Sequence, residues 1–215
     1  MLFEGKTAAF VWESSIRHLL TQYINQQLEM IPTEHNNTSI ELTNVLLHIQ
    51  DVNARNQKSG LYTNDDYFKE YSDHLLDQKK NGHVYKRITS INTTNGILNQ
   101  ENIIVSKLRE SWFSRRSVIE IWRASDDIEA DYPPCVCSIQ FLIRNNALQM
   151  QTYFRSNDAW TLALPDMIAF MRYQKKIARR LNIRASSYSQ YVGSYHIYEQ
   201  DIPIALSAFN IGGAT

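Results

Sequence analysis

The order of strand and helix patterns in the C-terminal half most limits the folds that this chain can adopt. The segments "SVIEIW" (117–122) and "CSIQFLIR" (137–144) predict two strands, and "NNALQMQTYFR" (145–155) predicts a turn followed by a third strand. A long helix with a basic outer face is predicted over 164–181, and "SYSQYVGSYHIY" (187–198) predicts a final strand. Several strands in one mixed sheet, with long helices packed on one face, make an α+β fold.

The remaining patterns fit the same fold class. They predict an amphipathic helix over 7–24, a strand with one irregularity over 39–51, a helix over 99–113 and a closing helix over 199–209. The apolar face of the third of these is predicted to run through Ile103, Ile104, Leu108 and Trp112. The most polar segment, 53–83, predicts a surface loop and a solvated helix within a single domain that covers 1–215.

Composition excludes several classes of protein. With 43% hydrophobic and 20% charged residues the chain has the profile of a globular protein, and 215 residues are enough to bury a core. Its formal net charge of zero gives no bulk attraction to nucleic acid or to a membrane surface. The start "MLFEGKTAAF" lacks the pattern of a signal peptide, and only two cysteines occur, so we expect a reduced, cytoplasmic protein.

Both cysteines stand in the segment "DYPPCVCSIQF", residues 131–141, as Cys135 and Cys137. A disulfide between them would close a small strained ring and is discarded. A zinc site would need two more soft ligands nearby, but the six histidines are scattered along the chain, so no metal is expected. Each thiol is therefore either a nucleophile or a structural residue, and a metal or redox site built on the C-x-C pair is the weaker alternative.

Three polar motifs flank the cysteine segment: "SRR" (114–116), "FRSND" (154–158) and "YHIY" (195–198). Guanidinium groups bind phosphate oxygens in pairs, and a hydroxyl can complete such a site. Taken one by one, the first two motifs are more typical of solvated turns. Their placement on both sides of a cysteine favours an anion-binding site around it.

Together these residues resemble the thymidylate synthase superfamily, and most closely its compact archaeal branch. The shared pattern is an arginine pair, Pro-Cys, Gln-Phe, Arg-Ser-x-Asp and His-x-Tyr. It covers the C-terminal half without a gap, while residues 1–110 match far less clearly. The matching residues are Arg115-Arg116, Pro134-Cys135, Gln140-Phe141, Arg155-Ser156-Asn157-Asp158 and His196-Ile197-Tyr198.

The resemblance implies a mixed sheet through which two copies dimerise, and a covalent reaction on a pyrimidine nucleoside 5'-monophosphate. Cys135 would attack C6 of the base, and 5,10-methylenetetrahydrofolate would supply the one-carbon unit to C5. Arg155 would lower the pKa of the thiol, whereas Cys137 is interpreted as structural. No membrane or nucleic-acid partner is implied.

The resemblance also assigns the remaining binding residues. Arg155 and Ser156 would hold the phosphate together with Arg115 and Arg116 from the second subunit of an obligate homodimer. Asp158 would contact the pterin of the folate, His196 and Tyr198 the sugar hydroxyl, and Gln140 would help to position the base. Glu41 is the candidate for the glutamate that organises water and protons at the base, or else an exposed glutamate at a strand edge.

Asp166 stands where thymidylate synthases hold an asparagine that pairs with uracil. A carboxylate accepts from the N4 amino group of cytosine, whereas facing O4 of uracil it would set two acceptors together. Because an unpaired buried acceptor costs about 1–3 kcal/mol, Asp166 favours a (deoxy)cytidylate 5-hydroxymethyltransferase. The alternatives are methylation of dUMP and a non-catalytic homologue that binds nucleotide or RNA. A second alignment, with a one-residue insertion, would put Met167 at the selecting position and leave Asp166 as a first-turn helix residue.

Overall fold

The computed structural model describes residues 1–34, 37–61, 65–76, 82–94 and 96–212. The helices are α1 (Ala8–Ile24), α2 (Asp65–Leu76), α3 (His83–Thr89), α4 (Gln100–Glu110), α5 (Ala124–Asp127), α6 (Ala163–Leu181) and α7 (Ile202–Ala208), the last preceded by a 3-10 turn, Glu199–Asp201. The strands are β1 (Leu2–Gly5), β2 (Ile31–Pro32), β3 (Thr38–Ile49), β4 (Ile91–Thr93), β5 (Gly96–Leu98), β6 (Val118–Glu120), β7 (Val136–Arg144), β8 (Ala147–Asp158) and β9 (Arg184–Tyr198).

One mixed sheet organises the part of the chain that the structure describes. Its strand order is β1-β3-β9-β8-β7-β6, with β2 paired to β3, and β4 and β5 form a separate hairpin. The pairs β1–β3 and β8–β9 are parallel, and the other pairs of the main sheet are antiparallel. Parallel neighbours need a crossover connection, and α6 supplies it between β8 and β9. The predicted mixed α+β architecture is confirmed.

The long helices cover one face of this sheet. Trp12 of α1 donates its indole N–H to the carbonyl of Ala159 at 2.7 Å, and Phe170 of α6 meets Phe154 of β8 edge to face, with ring centroids 5.6 Å apart. On the opposite face the side chains of Tyr153 and Tyr191 remain 47% and 48% exposed. The core therefore lies between the sheet and the helices. None of the helices in the described ranges combines the length and hydropathy needed to span a bilayer.

A paired irregularity in β3 and β9 sets which side chains face the site. The two strands keep the same register on both sides of the break, at Thr43–Ser194 and at Val45–Val192, but Asn44 and Gly193 between them are not paired, and Asn44 adopts the left-handed conformation with a φ of 56°. Gly193 is needed here because a Cβ atom would lie 2.7 Å from the carbonyl oxygen of Arg155. The alternation of burial along β9 changes phase across this position, so Val192 is buried before it and Tyr195 and Ile197 are buried after it.

Two helices differ from the sequence prediction. In α4, Ile103 is 47% exposed and Trp112 lies beyond the helix, while the buried residues are Glu101, Ile104, Val105 and Leu108. The segment 53–83 contains α2, which is not a solvated helix: it packs on α6 and buries Phe68 completely. Apolar residues at i, i+7 and i+8 give α2 its buried stripe, although the helix is polar on average. Residues 62–64 and 77–81 of that segment lie outside the described ranges.

Candidate active site

A cavity of about 450 Å³ opens between the start of β7, the end of β8 and the helices α2, α3 and α6. It brings Cys135, Asp158 and Asp166 together, three of the residues that the sequence singled out. Aromatic and apolar side chains supply much of the rest of its wall, which suits a planar ligand with a few polar groups. The lining residues are Tyr71, Leu75, His83, Val84, Arg87, Tyr132, Pro133, Pro134, Cys135, Val136, Phe154, Asn157, Asp158, Leu162, Asp166 and Phe170.

Arg155 holds the segment that carries Cys135. Its backbone N–H donates to the carbonyl of Cys135 at 2.9 Å, and its guanidinium donates to the carbonyls of Pro134 at 3.1 Å and Pro133 at 2.9 Å. Since proline itself has no N–H to anchor this stretch, these contacts to its carbonyls fix the backbone before the strand begins. The same guanidinium lies 4.0 Å from Sγ of Cys135 and 5.8 Å from the ring centre of Trp122.

Cys135 is exposed at the mouth of the cavity, while the protein around its sulfur removes part of the surrounding water. The pKa of the thiol is raised above the ordinary value because this desolvation outweighs the lowering by Arg155, and the carboxylates of Asp166 and Asp158 raise it further. Arg155 thus lowers the pKa of the thiol, as predicted, but the net shift of that pKa is still upward. Cys137 points elsewhere: its Sγ lies 3.7 Å from the carbonyl oxygen of Cys135, and it is absent from the wall of the cavity.

Replacing Arg155 with methionine is expected to raise the pKa of the Cys135 thiol further, because it removes the guanidinium that lowers this pKa. In a Cys137→Ala background, alkylation of Cys135 by iodoacetamide at pH 8 should slow roughly 3- to 10-fold. Arg144→Met, the same charge change at the far end of β7, is the control and should leave the rate unaltered. Equal rates in the Arg155 variant and its parent would show that Arg155 does not act on this thiol.

Asp166 is buried in the first turn of α6, with both carboxylate oxygens occupied. The hydroxyl of Tyr71 donates to Oδ1 at 2.7 Å, and Nδ2 of Asn157 donates to Oδ2 at 2.7 Å. Burial raises the pKa of Asp166 to about 7, although both hydrogen bonds oppose the rise. The neighbouring Met167 is fully buried in the hydrophobic core and does not line the cavity. Of the two candidates for the selecting position, the structure therefore places only Asp166 in its wall.

A second polar cluster lies at the ends of β3, β8 and β9. Nδ1 of His196 is 3.4 Å from the hydroxyl of Ser156, and the rings of His196 and Tyr198 meet edge to face at 78° with centroids 4.9 Å apart. Burial lowers the pKa of His196. Glu41 is the register partner of His196, and its carboxylate accepts from the hydroxyl of Ser194 at 2.5 Å. These side chains lie beside the cavity and not in its wall, and the candidate role of Glu41 stays a prediction.

The arginine pair precedes the edge strand β6, and Gln140 lies on the neighbouring strand β7. Arg115 and Arg116 are exposed, and neither is among the residues that line the cavity. Gln140 donates from Nε2 to the backbone carbonyl of Arg115 at 3.0 Å, so it anchors the loop that carries the pair. Trp112 and Phe113, just before that loop, are 60% and 65% exposed.

Comparison with known proteins decides the family. The family model described as "Thymidylate synthase" matches residues 37–209. The chain belongs to the thymidylate synthase family. Within it, the chain is similar to a protein named "Putative thymidylate synthase" from Methanocaldococcus jannaschii, with 28% identity over 178 residues that cover 79% of this chain and 80% of that protein. Another of the same name, from Methanopyrus kandleri, is 24% identical over 210 residues, covering 94% and 95%.

A bacterial "Thymidylate synthase" from Mycoplasma pneumoniae matches a shorter part, with 28% identity over 109 residues that cover 50% of this chain and 37% of that protein. The resemblance to the thymidylate synthase superfamily and to its archaeal branch is thus confirmed. As a member of the thymidylate synthase family, the chain is a one-carbon transferase.

The contact of Asp158 with a pterin stays a prediction, and it needs an acceptor, because a pterin presents N–H groups and a carboxylate only accepts. In the structure Asp158 also shapes the turn into α6. Its Oδ1 accepts from the backbone N–H groups of Trp160 and Thr161, both at 3.0 Å, and its Oδ2 accepts from the hydroxyl of Thr161. Of about four acceptor positions on a carboxylate, one on Oδ2 remains for a ligand.

Sequence reasoning assigned no role to two polar residues of the thymidylate synthase site, Tyr71 and Asn157, which contact Asp166 directly. Of these two, only Asn157 had a signal, since it stands inside the recognised Arg-Ser-x-Asp motif at the position that the motif leaves open. For the upstream phosphate arginine of the family the sequence offers two candidates, Arg55 and Arg87, and of these Arg87 lines the cavity. The guanidinium of Arg87 is already held by Asp127 through two contacts of 2.8 Å.

Proposed function

We propose that this enzyme transfers the one-carbon unit of 5,10-methylenetetrahydrofolate to C5 of a (deoxy)cytidylate and releases the 5-hydroxymethyl product. The observation that carries the proposal is the position of Asp166 in the wall of the cavity that also holds Cys135. A carboxyl group at that point complements the N3 and N4 edge of cytosine better than the N3 and O4 edge of uracil.

The chain's own residues would divide the work as follows. The Cys135 sulfur forms a bond to C6 of the base, and the electrons of the C5–C6 double bond make C5 a carbon nucleophile. The folate supplies a one-carbon unit at the oxidation level of formaldehyde. After C5 has bonded to that carbon, loss of the C5 proton and departure of tetrahydrofolate as the leaving group would leave an exocyclic methylene at C5, with the Cys135 sulfur still on C6. Water would then add to the methylene carbon, and expulsion of the Cys135 thiolate would restore the C5–C6 double bond. The product carries a hydroxymethyl group, and no hydride is needed.

Asp166 would support this series of steps by sharing the proton of its carboxyl group with the base. With a pKa raised to about 7 by burial, the carboxyl group carries a proton part of the time at neutral pH. That proton can lie between the carboxyl group and N3 of cytosine, while the other oxygen accepts from the N4 amino group. Positive charge at N3 withdraws electrons from C6 and so favours attack by the thiolate of Cys135.

The phosphate and sugar would be held on the other side of Cys135. Arg155 and Ser156 belong to the same subunit as the thiol, whereas the exposed Arg115 and Arg116 would reach the phosphate of a second subunit in a homodimer. The open face of the sheet, with its half-exposed Tyr153, supports dimerisation through that face. His196 and Tyr198 would contact the sugar hydroxyl.

Release of tritium from C5 tests the reaction and the base together. The substrates are 5-tritiated dCMP, CMP and dUMP, each with methylenetetrahydrofolate, and the folate product is followed in the same tubes. We expect release from a cytidylate with tetrahydrofolate as the product and without dihydrofolate. Release from dUMP with dihydrofolate formed would instead establish methylation, the activity that the names of the curated relatives indicate for those proteins.

A further inference from the structure

A chain of buried hydrogen bonds runs from Asp166 into the interior of the protein. Asn157 donates to Asp166, and Oδ1 of Asn157 accepts from Nε2 of Gln190 at 3.0 Å. Oε1 of Gln190 accepts from the hydroxyl of Tyr188 at 2.9 Å, and that hydroxyl lies 2.7 Å from the hydroxyl of Thr152. Asn157 and Gln190 are 1% and 0% exposed, so water cannot replace any of these contacts without opening the core.

The donor-to-acceptor direction of this series of hydrogen bonds is fixed at its first member, Asp166. An ionised carboxylate can only accept, so Asn157 must present its amide N–H and turn its oxygen toward Gln190. Gln190 must then donate to Asn157 and accept from Tyr188, which leaves the hydroxyl of Tyr188 to accept from Thr152. Because each side-chain amide has a donor on one side and an acceptor on the other, the orientation of Asn157 fixes the orientation of Gln190 and of the hydroxyl next to it.

We propose that Asn157, held in its orientation by Gln190, is a positioning residue that keeps residue 166 a hydrogen-bond acceptor and so contributes to the choice of base. The inference rests on the proposed function, because Asp166 is taken as the group that faces the base. Asn157 itself does not touch the reacting atoms in this arrangement. Its role is to determine which hydrogen-bonding groups residue 166 has left for the ligand.

The surroundings of Asp166 show why a neutral donor is needed at position 157. Burial and the carboxylate of Asp158 both disfavour the charged form of Asp166, whereas the hydrogen bonds from Tyr71 and Asn157 stabilise it. A carboxylate or an inverted amide at 157 would place an acceptor against Oδ2 and force that oxygen to keep a proton. The titratable and polar groups that face Asp166 are Tyr67 and Tyr71 of α2, Asn157 and Asp158 of β8, Tyr188 of β9, and Cys135.

An exchange of the two side chains tests the inference. In Asn157→Asp, two buried carboxyl groups face each other, and the folding equilibrium constant at pH 8 should fall roughly 10- to 100-fold. In the double variant Asn157→Asp with Asp166→Asn, the new amide donates to the new carboxylate, which still accepts from Gln190. The double variant should therefore recover at least about tenfold in that constant over Asn157→Asp and should prefer uridylate to cytidylate.

The unfolding measurement needs no substrate, so it separates the two claims. If the two substitutions change the folding equilibrium constant independently, the positioning role is wrong, whatever the enzyme acts on. If they are coupled as expected but the wild type turns over dUMP and no cytidylate, the contact between the two residues stands. The proposed function, and with it the assigned choice of base, would then be overturned.

A milder substitution tests the buried end of this series of hydrogen bonds. Tyr188→Phe removes the hydroxyl that orients Gln190 but keeps the ring, and it should lower the ratio of cytidylate to uridylate turnover about 3- to 10-fold. Tyr195→Phe is the matched control, because this tyrosine is equally buried on the same strand and its hydroxyl contacts Ser15 of α1 at 2.7 Å. The control should leave the ratio unchanged. Equal losses in both variants would attribute the effect to packing and overturn the inference.

Discussion

Cys135→Ala is expected to lower turnover on the order of 10⁴- to 10⁶-fold, the usual cost of removing a nucleophile that forms a covalent intermediate. No other described thiol can replace it, because the side chain of Cys137 does not line the cavity. Cys137→Ala should therefore stay within about threefold of the wild type, as is usual for a substitution outside the reacting groups. Tritium release from the 5-tritiated nucleotide measures both variants under one set of conditions.

Nucleotide binding distinguishes an enzyme from a silent binding protein. The contacts expected for the phosphate, from Arg155 and Ser156, do not involve the sulfur, so Cys135→Ala should bind nucleotide within a few-fold of the wild type in a calorimetric titration. Mass spectrometry of the wild type with a substrate that is trapped after attack should show an adduct on the peptide containing Cys135. Turnover by Cys135→Ala at the wild-type rate would place the nucleophile elsewhere.

The elements of the fold could be predicted from local patterns because their periods are strong. Alternation and the helical period placed the strands β7, β8 and β9 and the helices α1 and α6 within a few residues of their observed ends. The break in pairing at Asn44 and Gly193 was visible only as one irregularity in the alternation of β3, since the close approach of Gly193 to the carbonyl of Arg155 leaves no local pattern in the sequence.

Helices whose burial depends on partners were harder to predict. In α4, Glu101 is turned inward because Lys176 and Arg180 of α6 neutralise it, with contacts of 3.0 and 2.5 Å. A pattern based on hydrophobicity places such a residue outside, and it turned Ile103 inward instead. In α2 the buried stripe is short and is surrounded by polar residues, so its mean hydropathy predicted a solvated helix.

The residues of the candidate site likewise divide into those that a local motif identifies and those that only distant contacts bring to the site. The linear motif identified Cys135 and Asp158, which lie close in sequence to the strands that carry the pattern. It could not identify Tyr71 as a donor to Asp166, because Tyr71 is 95 residues away in sequence and nothing in its own segment marks it. Likewise Gln190 reaches Asn157 across 33 residues, and only the parallel pairing of β8 and β9 brings them together.

Asp166→Asn is expected to reverse the base preference, because an amide can accept from N3–H of uracil and donate to O4 at the same time. Two hydrogen bonds that favour cytosine are replaced by two that favour uracil, each worth about 1–3 kcal/mol. The ratio of cytidylate to uridylate turnover should therefore fall on the order of 10²- to 10⁴-fold. Met167→Leu is the control for the alternative alignment and should leave the ratio unchanged. A change of base preference in Met167→Leu, but not in Asp166→Asn, would establish that alignment.

The same substitution is expected to change how stability depends on pH. The pKa of Asp166 is raised from 3.8 to about 7 in the folded protein, so between these values the folded state holds a proton that the unfolded state has released. The wild type therefore loses up to about 1.4 kcal/mol of unfolding free energy per pH unit as the pH rises through this window. Asp166→Asn lacks that loss. Urea unfolding at pH 5 and pH 8 should show the difference between variant and wild type moving by about 2–4 kcal/mol in favour of the variant. A difference that does not depend on pH would mean that Asp166 is already ionised in the folded protein, and its proton would then be unavailable for N3 of a cytosine base.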